Sequence, residues 1–542
     1  MITFRVDQTF RAYRAPRQHE ASFVFPPMVY FADLLANSSS KLNTSAIEFA
    51  GRSMTELRQQ ARLDLITFAR RHTSTYRNLP VDSQEITLAR PLILSGHQPE
   101  LFHPGVWFKN FILSASSKQT GAFAVNLLID QDICHSPSIR VPTRGNDGQL
   151  HAENIPFDSS GIAIPWEERG VLDRNCFDSF SKRLLAASGG SLNQPLLVEL
   201  WPRAIEAVSR HARIGLALAE VRHSLEAELG LETLEVPLSA ICDTESFACF
   251  LLEILTGLPR LRPLYNDAVT VYRRAHNIRS HSHPVPELSQ QDDWLESPFW
   301  IYSAKSPVRR SLYSRVVDRQ LELTDRERLT IRVPFSADRP SIATALLAQL
   351  RQQSAKVRPR ALMTTMFSRL ILSDLFSHGI GGGKYDQLTD LMIQRFFGMD
   401  PPSYCVVSAT VLLPEVPSLP AVALRTAELQ DRLRRLKYQP EKFPQAKLAS
   451  PKLVADKIRL LQERPLSGPK RYWHSCVLRV NGKLNSMLEP TRRRIADECL
   501  RSQQELRRAI LLNSREWSLC LYPKSYLERS LKTMQAEQQP SS

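Results

Sequence analysis

The chain has 542 residues, of which 43% are hydrophobic and 23% charged, and its formal net charge is +15 at neutral pH. This composition is ordinary for a globular protein and excludes a wholly disordered, collagenous or disulfide-scaffold chain. A chain of this length is expected to form about two to four structural units around a substantial buried core.

The positive charge is concentrated in the last quarter of the sequence. Residues 422–542 contain 25 lysines and arginines against 12 acidic residues, which leaves 45 against 43 in residues 1–421. The first three quarters therefore have the balance of a nearly neutral enzyme or binding body, and the end is a basic appendage. The total charge alone does not identify a polyanionic partner, because what matters is where the charge lies.

The cysteines and the apolar runs indicate the cellular compartment of the protein. The eight cysteines include no C-x-x-C pair, so we expect no zinc ribbon, thioredoxin-like site or structural metal. They are typical of reduced and mostly buried thiols. The sequence starts without the apolar stretch of a secretory signal and contains no apolar run of about 18 residues. We therefore expect a cytoplasmic protein with no membrane partner.

The clearest predicted elements follow an entry segment, residues 1–90, that contains one helix. The next stretch of about 40 residues predicts one βαβ unit of a parallel sheet. Its elements are a strand at 91–94, a turn-rich loop at 95–105, a helix at 106–117 and a strand at 124–129. Because the apolar runs of both strands do not alternate with polar residues, the sheet is expected to be covered on both faces.

Mixed helices and strands continue to residue 415, and charged helices follow. The predicted elements are helices near 178–187, 202–229, 246–255 and 266–278, a strand at 299–302, two helices around a glycine loop within 358–398, a strand at 403–413, and helices at 422–438, 452–463 and 484–513. The last three have helical periodicity and many charges, and in the third the apolar residues recur at spacings of four and seven, which fits a helical hairpin or short coiled coil in which Pro490 must kink or start the helix. We therefore predict an α/β fold with a Rossmann-like parallel sheet and helical insertions at 91–415, and a basic helical segment at 416–542.

The loop after the first predicted strand carries groups suited to a phosphate. Between a strand and a helix of a Rossmann-type sheet, backbone N–H groups and the helix dipole favour an anion. His97 and His103 can donate hydrogen bonds and become stronger donors when protonated, and Lys109 follows about one helical turn on. Local turn capping is the structural alternative. The predicted roles are catalysis for His97 and His103, and cofactor binding for Ser95, Gly96, Gln98, Gly105 and Lys109.

A second polar segment, Asp130-Gln-Asp132, ends the second predicted strand. In open α/β sheets ligands bind outside the carboxyl ends of the strands. Paired carboxylates at this place can hold Mg²⁺ or a substrate amine. Asp130 and Asp132 are therefore predicted catalytic residues, with solvation of the strand end as the structural alternative.

A third segment, 378–386, contains three glycines before a lysine and only partly fits a P-loop. His378 stands where the P-loop has its first glycine, and Tyr385 replaces the Ser or Thr that holds Mg²⁺. A glycine-rich backbone can still form a nest for an anion, and a tight structural turn is the alternative. The predicted roles are cofactor binding for Gly381, Gly382 and Gly383, and binding of a substrate group for Arg360, Lys384 and Asp386.

The first loop resembles that of the bacillithiol-biosynthesis enzymes that add cysteine to an amino sugar. Gly96-His97-Gln98 followed by Leu101-Phe102 and Gly105 is similar to the Gly-Gln-Gln-x-x-Leu-Phe-x-Gly-Pro-like loop of that family, with His97 for the first glutamine. The same loop shares three positions of the His-x-Gly-His motif of class I nucleotidyltransferases, with Val106 in place of the final histidine.

Later segments extend the resemblance to the bacillithiol family. Residues 358–362 and 381–385 are similar in order and outline to a helix start and a glycine loop of the family, with Lys384 at an acidic position. The resemblance covers the order of motifs from about Pro91 to Gly398. It implies a Rossmann-like core, nucleotide binding and amide-forming ligase chemistry.

The favoured function is therefore a nucleotide-dependent ligase or transferase. It would join or activate a small amine or carboxylate substrate with ATP or another nucleotide, and with Mg²⁺. The alternative is a non-catalytic nucleic-acid-associated or scaffold protein whose basic helices bind phosphates, although nucleic acid is the less favoured partner. The C-terminal helices also offer a homodimer interface. A sugar-modifying transferase is a cruder alternative, suggested by the His-Gln-Pro loop followed by an aromatic-Lys helix.

Overall fold

A computed structural model describes residues 10–79, 90–145, 149–280, 285–336 and 338–539. The described chain is mixed α/β, and its main sheet consists mostly of parallel strands. The strands are β1 (Ala21–Phe25), β2 (Glu48–Phe49), β3 (Arg52–Ser53), β4 (Leu92–His97), β5 (Phe123–Leu128), β6 (Ser138–Arg144), β7 (Leu150–Pro156), β8 (Leu234–Pro237), β9 (Gln290–Gln291), β10 (Trp294–Ser303), β11 (Ser306–Val317), β12 (Gln320–Thr324), β13 (Thr330–Pro334), β14 (Ala355–Pro359), β15 (Leu375–His378) and β16 (Tyr404–Thr410).

Helices make up the larger part of the described chain. They are α1 (Phe31–Asn43), α2 (Met54–Thr73), α3 (Pro104–Thr120), α4 (Arg174–Ser188), α5 (Leu197–Arg210), α6 (Ile214–Glu228), α7 (Leu238–Cys242), α8 (Glu245–Thr256), α9 (Leu258–Ala275), α10 (Arg339–Gln352), α11 (Ala361–Phe367), α12 (Ile380–Met392), α13 (Leu419–Tyr438), α14 (Pro444–Ala449), α15 (Pro451–Gln462), α16 (Arg471–Met487), α17 (Glu489–Leu512) and α18 (Lys524–Glu537). Among them, no helix is both long and apolar enough to cross a membrane.

The main sheet has the strand order β1-β16-β15-β4-β5-β8. The last five of these are parallel to their neighbours, and β1 pairs antiparallel at the edge. From β4 the chain proceeds to β5 and β8 on one side, and it later returns to β15 and β16 on the other side. The order therefore reverses between β4 and β15, and ligands of open α/β sheets bind in the crevice at such a point.

The predicted strand, helix and strand after the entry segment are confirmed as β4, α3 and β5. Every side chain of β5 is buried, which agrees with a sheet covered on both faces. Helix α3 begins at Pro104, a residue suited to a first turn, and ends before Gly121, whose φ of 71° is left-handed. These local signals fix the loop between β4 and α3 at the reversal point.

The segment predicted as a glycine loop is instead the first turn of α12. It follows β15, a strand of four residues that is too short for its pattern to stand out in the sequence. Glycine is required at residue 383, because an added Cβ would collide with Val406 of β16. The glycines therefore allow α12 to lie close to the sheet and to begin at the carboxyl end of β15.

A second, antiparallel sheet of order β13-β12-β11-β10-β14 packs beside the main one, with β9 paired to β10. Phe299 of β10 and Leu323 of β12 belong to the same buried cluster as Leu94 of β4. The two sheets thus share one core. Their contact places the polar end of β10, the start of β11 and the end of β14 opposite the reversal point of the main sheet.

The C-terminal helices form a smaller cluster before the chain returns to the core. Leu429 and Leu436 of α13 pack with Leu484 of α16 and Ile495 of α17. The predicted helix at 484–513 is two helices, because Pro490 lies in the first turn of α17 and starts a new helix. After α17, the chain packs again on the main core through residues 517–522 and α18. All eight cysteines are free and six of them are buried, as expected for reduced thiols.

Candidate functional site

A cavity of about 760 Å³ opens at the carboxyl ends of β4, β5 and β15. Its size suits a nucleotide-sized ligand. Its walls come from the loops after β4 and β5, the first turn of α12, the antiparallel sheet, and the segment that follows α17. Ten of the residues predicted for the site line it: Gly96, His97, Gln98, His103, Gly105, Lys109, Asp132, Arg360, Gly381 and Gly382.

The remaining predicted residues lie outside the described cavity wall. They are Ser95, Asp130, Gly383, Lys384 and Asp386. The Ser95 hydroxyl donates to the Ser377 carbonyl at 3.2 Å and links β4 to β15. Lys384 is half-buried on α12. Burial lowers the pKa of His276, and the positive charge of Lys384 adds to this effect. Asp386 reaches the cavity only through His378, to which it is hydrogen-bonded at 2.8 Å.

The two acidic residues after β5 have separate environments. Asp130 is buried and accepts hydrogen bonds from the backbone N–H of Ser239, at 2.9 Å, and from its hydroxyl. Burial, together with the nearby Glu167 carboxylate, raises the pKa of Asp130 to about 7. Asp132 lines the cavity and accepts from Gln98 at 2.8 Å and from Arg309 at 3.1 Å. Asp130 therefore holds the start of α7, and Asp132 faces the cavity.

His103 is the N-cap of α3, and its position fixes its protonation. Its Nδ1 accepts the Gly105 N–H at 3.1 Å, so the proton of the neutral ring is on Nε2. Burial and the charges of Arg515 and Lys109 lower the pKa of His103 to about 4. At neutral pH this residue is therefore an uncharged hydrogen-bond donor, and not the protonated donor that the sequence allowed.

His97 has the opposite arrangement of its ring nitrogens. Its Nδ1 lies 3.3 Å from the Gln98 carbonyl, which can only accept, so Nδ1 carries the proton and Nε2 the lone pair. The ring packs edge-on against Phe102 with centroids 4.7 Å apart. Burial and the charge of Lys109 lower the pKa of His97 well below its usual value. This histidine is also uncharged at neutral pH.

Lys109 brings a positive charge to the base of the cavity. Its side chain is 2% exposed, and its Nζ donates to the Gly96 carbonyl at 2.7 Å. Burial and the charge of Arg222 lower the pKa of Lys109 to about 7. Its Cδ lies 4.0 Å from the place where a Cβ on Gly379 would stand, so the Lys109 side chain lies between the end of β4 and the N-cap of α12. Both helix N-termini face the cavity and favour an anion there.

Arg515 is a cavity residue that the sequence did not reveal. It comes from the segment after α17 and donates to the Ser408 hydroxyl at 2.8 Å. An added Cβ on Gly105 would collide first with the Ala409 carbonyl oxygen of β16 and then with the Arg515 guanidinium, so glycine is needed here mainly for the close approach of α3 to β16. No local pattern around residue 515 marks it as a site residue, because its position depends on the return of the chain from α17.

The wall opposite is built on the antiparallel sheet around Trp300. The guanidinium carbons of Arg360 and Arg309 lie 4.1 and 4.8 Å from the centroid of the Trp300 ring. Arg360 donates to Glu296 at 2.6 Å and to Ser311 at 2.8 Å. Arg309 donates to Asp132. Each arginine of this wall is therefore held by a carboxylate and lies against one aromatic side chain.

A further buried acidic cluster lies beneath α3, at some distance along the chain from these loops. Ligand atoms of His223, Glu226 and Glu235 lie within 4.8 Å of one another. Arg222 donates to both carboxylates at 2.5 Å, and Trp107 of α3 donates to Glu226 at 2.8 Å. Since Arg222 already pairs with both carboxylates, the cluster has the character of a buried ion-pair network that anchors α3 to α6.

Comparisons with known proteins do not identify the chain. The sequence matches no protein-family model, and a search of curated proteins gives no significant match. The resemblance to the bacillithiol-biosynthesis family therefore stays a prediction.

Proposed function

We propose that this chain is a nucleotide-dependent ligase or transferase whose site is the cavity between β4 and β15. The observation that carries the proposal is the convergence of two helix N-termini and Lys109 on one cavity. The reversal of strand order at this point supports a Rossmann-like core, since such sheets bind nucleotides at the crevice where the order reverses. The resemblance of the first loop to a nucleotide-binding ligase family is a second, independent support.

The charges around the cavity favour a phosphate group beside α3 and α12. Arg515 supplies positive charge, Lys109 supplies an amine whose charged form a bound phosphate would favour, and the N-termini of the two helices supply partial positive charge and backbone N–H groups. His103 adds a neutral N–H donor at Nε2. Donors that are fixed in place before the reaction stabilise the negative charge that develops on a leaving phosphate, often the largest single contribution to catalysis.

The opposite wall suits the second substrate. Arg360 is held by Glu296 and Ser311, and it would bind an anionic group of that substrate in a fixed orientation. Asp132 is the member of the predicted acidic pair that faces the cavity, and it would orient an amine or share Mg²⁺ with the phosphates. When bound, Mg²⁺ would neutralise phosphate charge at this place.

The test is thermal unfolding of the full chain with ATP or ADP, with and without Mg²⁺. A ligand that binds only the folded protein raises its free energy of unfolding, by about 2.7 kcal/mol at one hundred times its Kd. We expect the melting temperature to rise with nucleotide concentration, and His103→Ala, which removes the neutral N–H donor at Nε2, to reduce the rise. His474→Ala, at an exposed position on α16, is the matched control. The absence of any shift with nucleotides, in either condition, would contradict the proposal.

A further inference from the structure

We propose that His378 is the proton acceptor of this cavity and that Asp386 is its positioning residue. The role of His378 in a reaction rests on the proposed function. His378 ends β15 and lines the cavity beside the first turn of α12. Among the described histidines of the cavity wall, it is the one whose ring is hydrogen-bonded to a carboxylate.

The hydrogen bond to Asp386 fixes which ring nitrogen carries the proton. Nε2 of His378 lies 2.8 Å from Oδ2 of Asp386. An ionised carboxylate can only accept, so in the neutral ring Nε2 carries the proton and Nδ1 holds the lone pair. A carboxylate in this position also stabilises the imidazolium that forms when Nδ1 takes up a proton.

The lone-pair nitrogen lies on the side of Gly382. A Cβ on residue 382 would stand 2.7 Å from Nδ1, which is closer than real Cβ atoms come to a neighbour. Both residues line the cavity. Glycine at this position therefore keeps the Nδ1 side of the ring unobstructed. By contrast, a Cβ on Gly381 would have no neighbour within 4 Å, although both glycines lie in the first turn of α12.

Asp386 is itself held by buried partners. Arg369, in the helical turn after α11, donates to Oδ2 of Asp386 at 2.7 Å and to Asp390 at 2.6 Å. Burial alone would raise the pKa of Asp386, but the charge of Arg369 and the hydrogen bond from His378 hold it well below its usual range. Asp386 is therefore ionised at neutral pH, with an orientation that α11, α12 and β15 determine together.

The other groups that face His378 keep the ring neutral until it receives a proton. Burial is the largest effect and lowers the pKa of His378, and the nearby positive charges of Arg369 and Lys109 act in the same direction. The negative charge of Asp386 acts against them. The rings of Phe376 and Tyr404 pack on the imidazole with centroids 4.5 and 5.3 Å away and add no charge.

In the proposed reaction His378 takes the proton of the attacking group. As the N–H or O–H bond of an amine, hydroxyl or water breaks, its electron pair forms the new bond to the activated substrate, and its proton moves to Nδ1. The leaving group departs with the electron pair of the bond that breaks. The imidazolium then returns its proton to solvent or to the leaving group. General bases of this kind typically contribute about 10²–10⁴-fold in rate.

The first test reads the ring directly, without nucleotide. In full-length protein labelled with ¹⁵N-histidine, long-range ¹H–¹⁵N spectra assigned with His378→Asn should give an unprotonated Nδ1 and a protonated Nε2. Gly382→Ala should displace the His378 resonances, and the matched Gly381→Ala should leave them in place. A protonated Nδ1 in the wild type, or equal behaviour of the two alanine variants, would overturn the inference.

The second test measures phosphate release from ATP with water as the acceptor. We expect His378→Asn to lower the rate about 100-fold or more, with an unchanged ATP-induced thermal shift. Asp386→Asn should lower the rate as well and should shift protonation of His378, followed in the ¹⁵N spectra, to lower pH, because the amide keeps an acceptor oxygen but removes the negative charge that stabilises the imidazolium. If Asp386→Asn does not fold, the Gly382→Ala spectra and rate replace it. His474→Asn is the control for histidine replacement.

The outcomes separate this inference from the proposed function. Normal turnover in His378→Asn would overturn the role of His378 and leave the nucleotide-using function intact. A wild-type protein with the expected tautomer, but with neither an ATP-induced shift nor phosphate release, would overturn the nucleotide-using function and support the proton acceptor.

Discussion

The two walls of the cavity differ in how their positive charges are balanced. On the wall of the parallel sheet, Lys109 donates to a backbone carbonyl and Arg515 to a hydroxyl. On the wall of the antiparallel sheet, Arg360 donates to Glu296 and Arg309 donates to Asp132. The first wall can therefore offer its charge to an anionic ligand, while the second uses much of its charge to hold itself together. Substitutions on the two walls should have different consequences.

The largest effect on stability is expected from Arg360→Met. This change leaves the Glu296 carboxylate, which is 8% exposed, without its cation. Removing one partner of a buried ion pair typically costs about 3–5 kcal/mol. The free energy of unfolding in urea should fall by that order. The double variant Arg360→Met with Glu296→Gln is the control, and it should recover most of the loss. A single variant as stable as the wild type would show that the walls do not differ in this way.

Lys109→Met should act on the ligand and not on the fold. A hydrogen bond to a charged group contributes about 1.5–3 kcal/mol, so calorimetry should give an ATP affinity about 10–100-fold weaker. The free energy of unfolding at pH 7 should stay the same or rise, because the substitution removes a cation that is buried at a cost. A large fall in the free energy of unfolding with an unchanged ATP affinity would mean that Lys109, like Arg360, stabilises the fold and does not bind the ligand.

Arg515→Gln should weaken ATP binding by a smaller factor, about 5–10-fold. Its guanidinium is half-buried, and water screens part of its interaction with a phosphate. The matched control is Arg508→Gln, at an exposed position on α17. If both variants bind ATP as the wild type does, the segment after α17 closes the cavity without contributing to its ligand.

The smallest effect concerns pH. The folded pKa of Lys109 is about 7, and that of an unfolded lysine is about 10.4. Between these values the unfolded chain binds more protons, so this residue makes stability rise with pH, by about 1 kcal/mol from pH 7 to 8. The rise should be missing in Lys109→Met, as measured by urea unfolding at both pH values. Equal slopes in the two proteins would mean that Lys109 keeps an ordinary pKa.

The sequence predicted the edge of the sheet where the cavity lies, because the signals for that edge are local. Apolar strands, a proline at a helix start and a glycine after its end are readable in order along the chain. The carboxyl ends of parallel strands lie at one edge, so the meeting of the loops after β4 and β5 followed from the strand pattern. The sequence also predicted the glycine segment at this site. It predicted a loop, however, and the segment is the first turn of α12.

The roles of individual side chains were less readable. Asp130 and Asp132 are two residues apart in one turn, but only Asp132 faces the cavity, because Ser239 of α7 lies against the other carboxylate. His378 and Asp386 were both visible in the glycine motif. Their pairing needed β15 and the second turn of α12 to be placed side by side, which the short strand concealed in the sequence.

By itself the sequence determined the order of elements, the basic character of residues 422–542 and the loops around which a site forms. Only the tertiary structure decided which charged groups have a partner of opposite charge and which histidines are neutral. It also placed Arg515 next to Gly105 in space, although the two residues are about 400 positions apart in the chain. The physical reason is that burial and charge act through space over a few ångströms. Such distances are set by the packing of elements that are remote in the sequence.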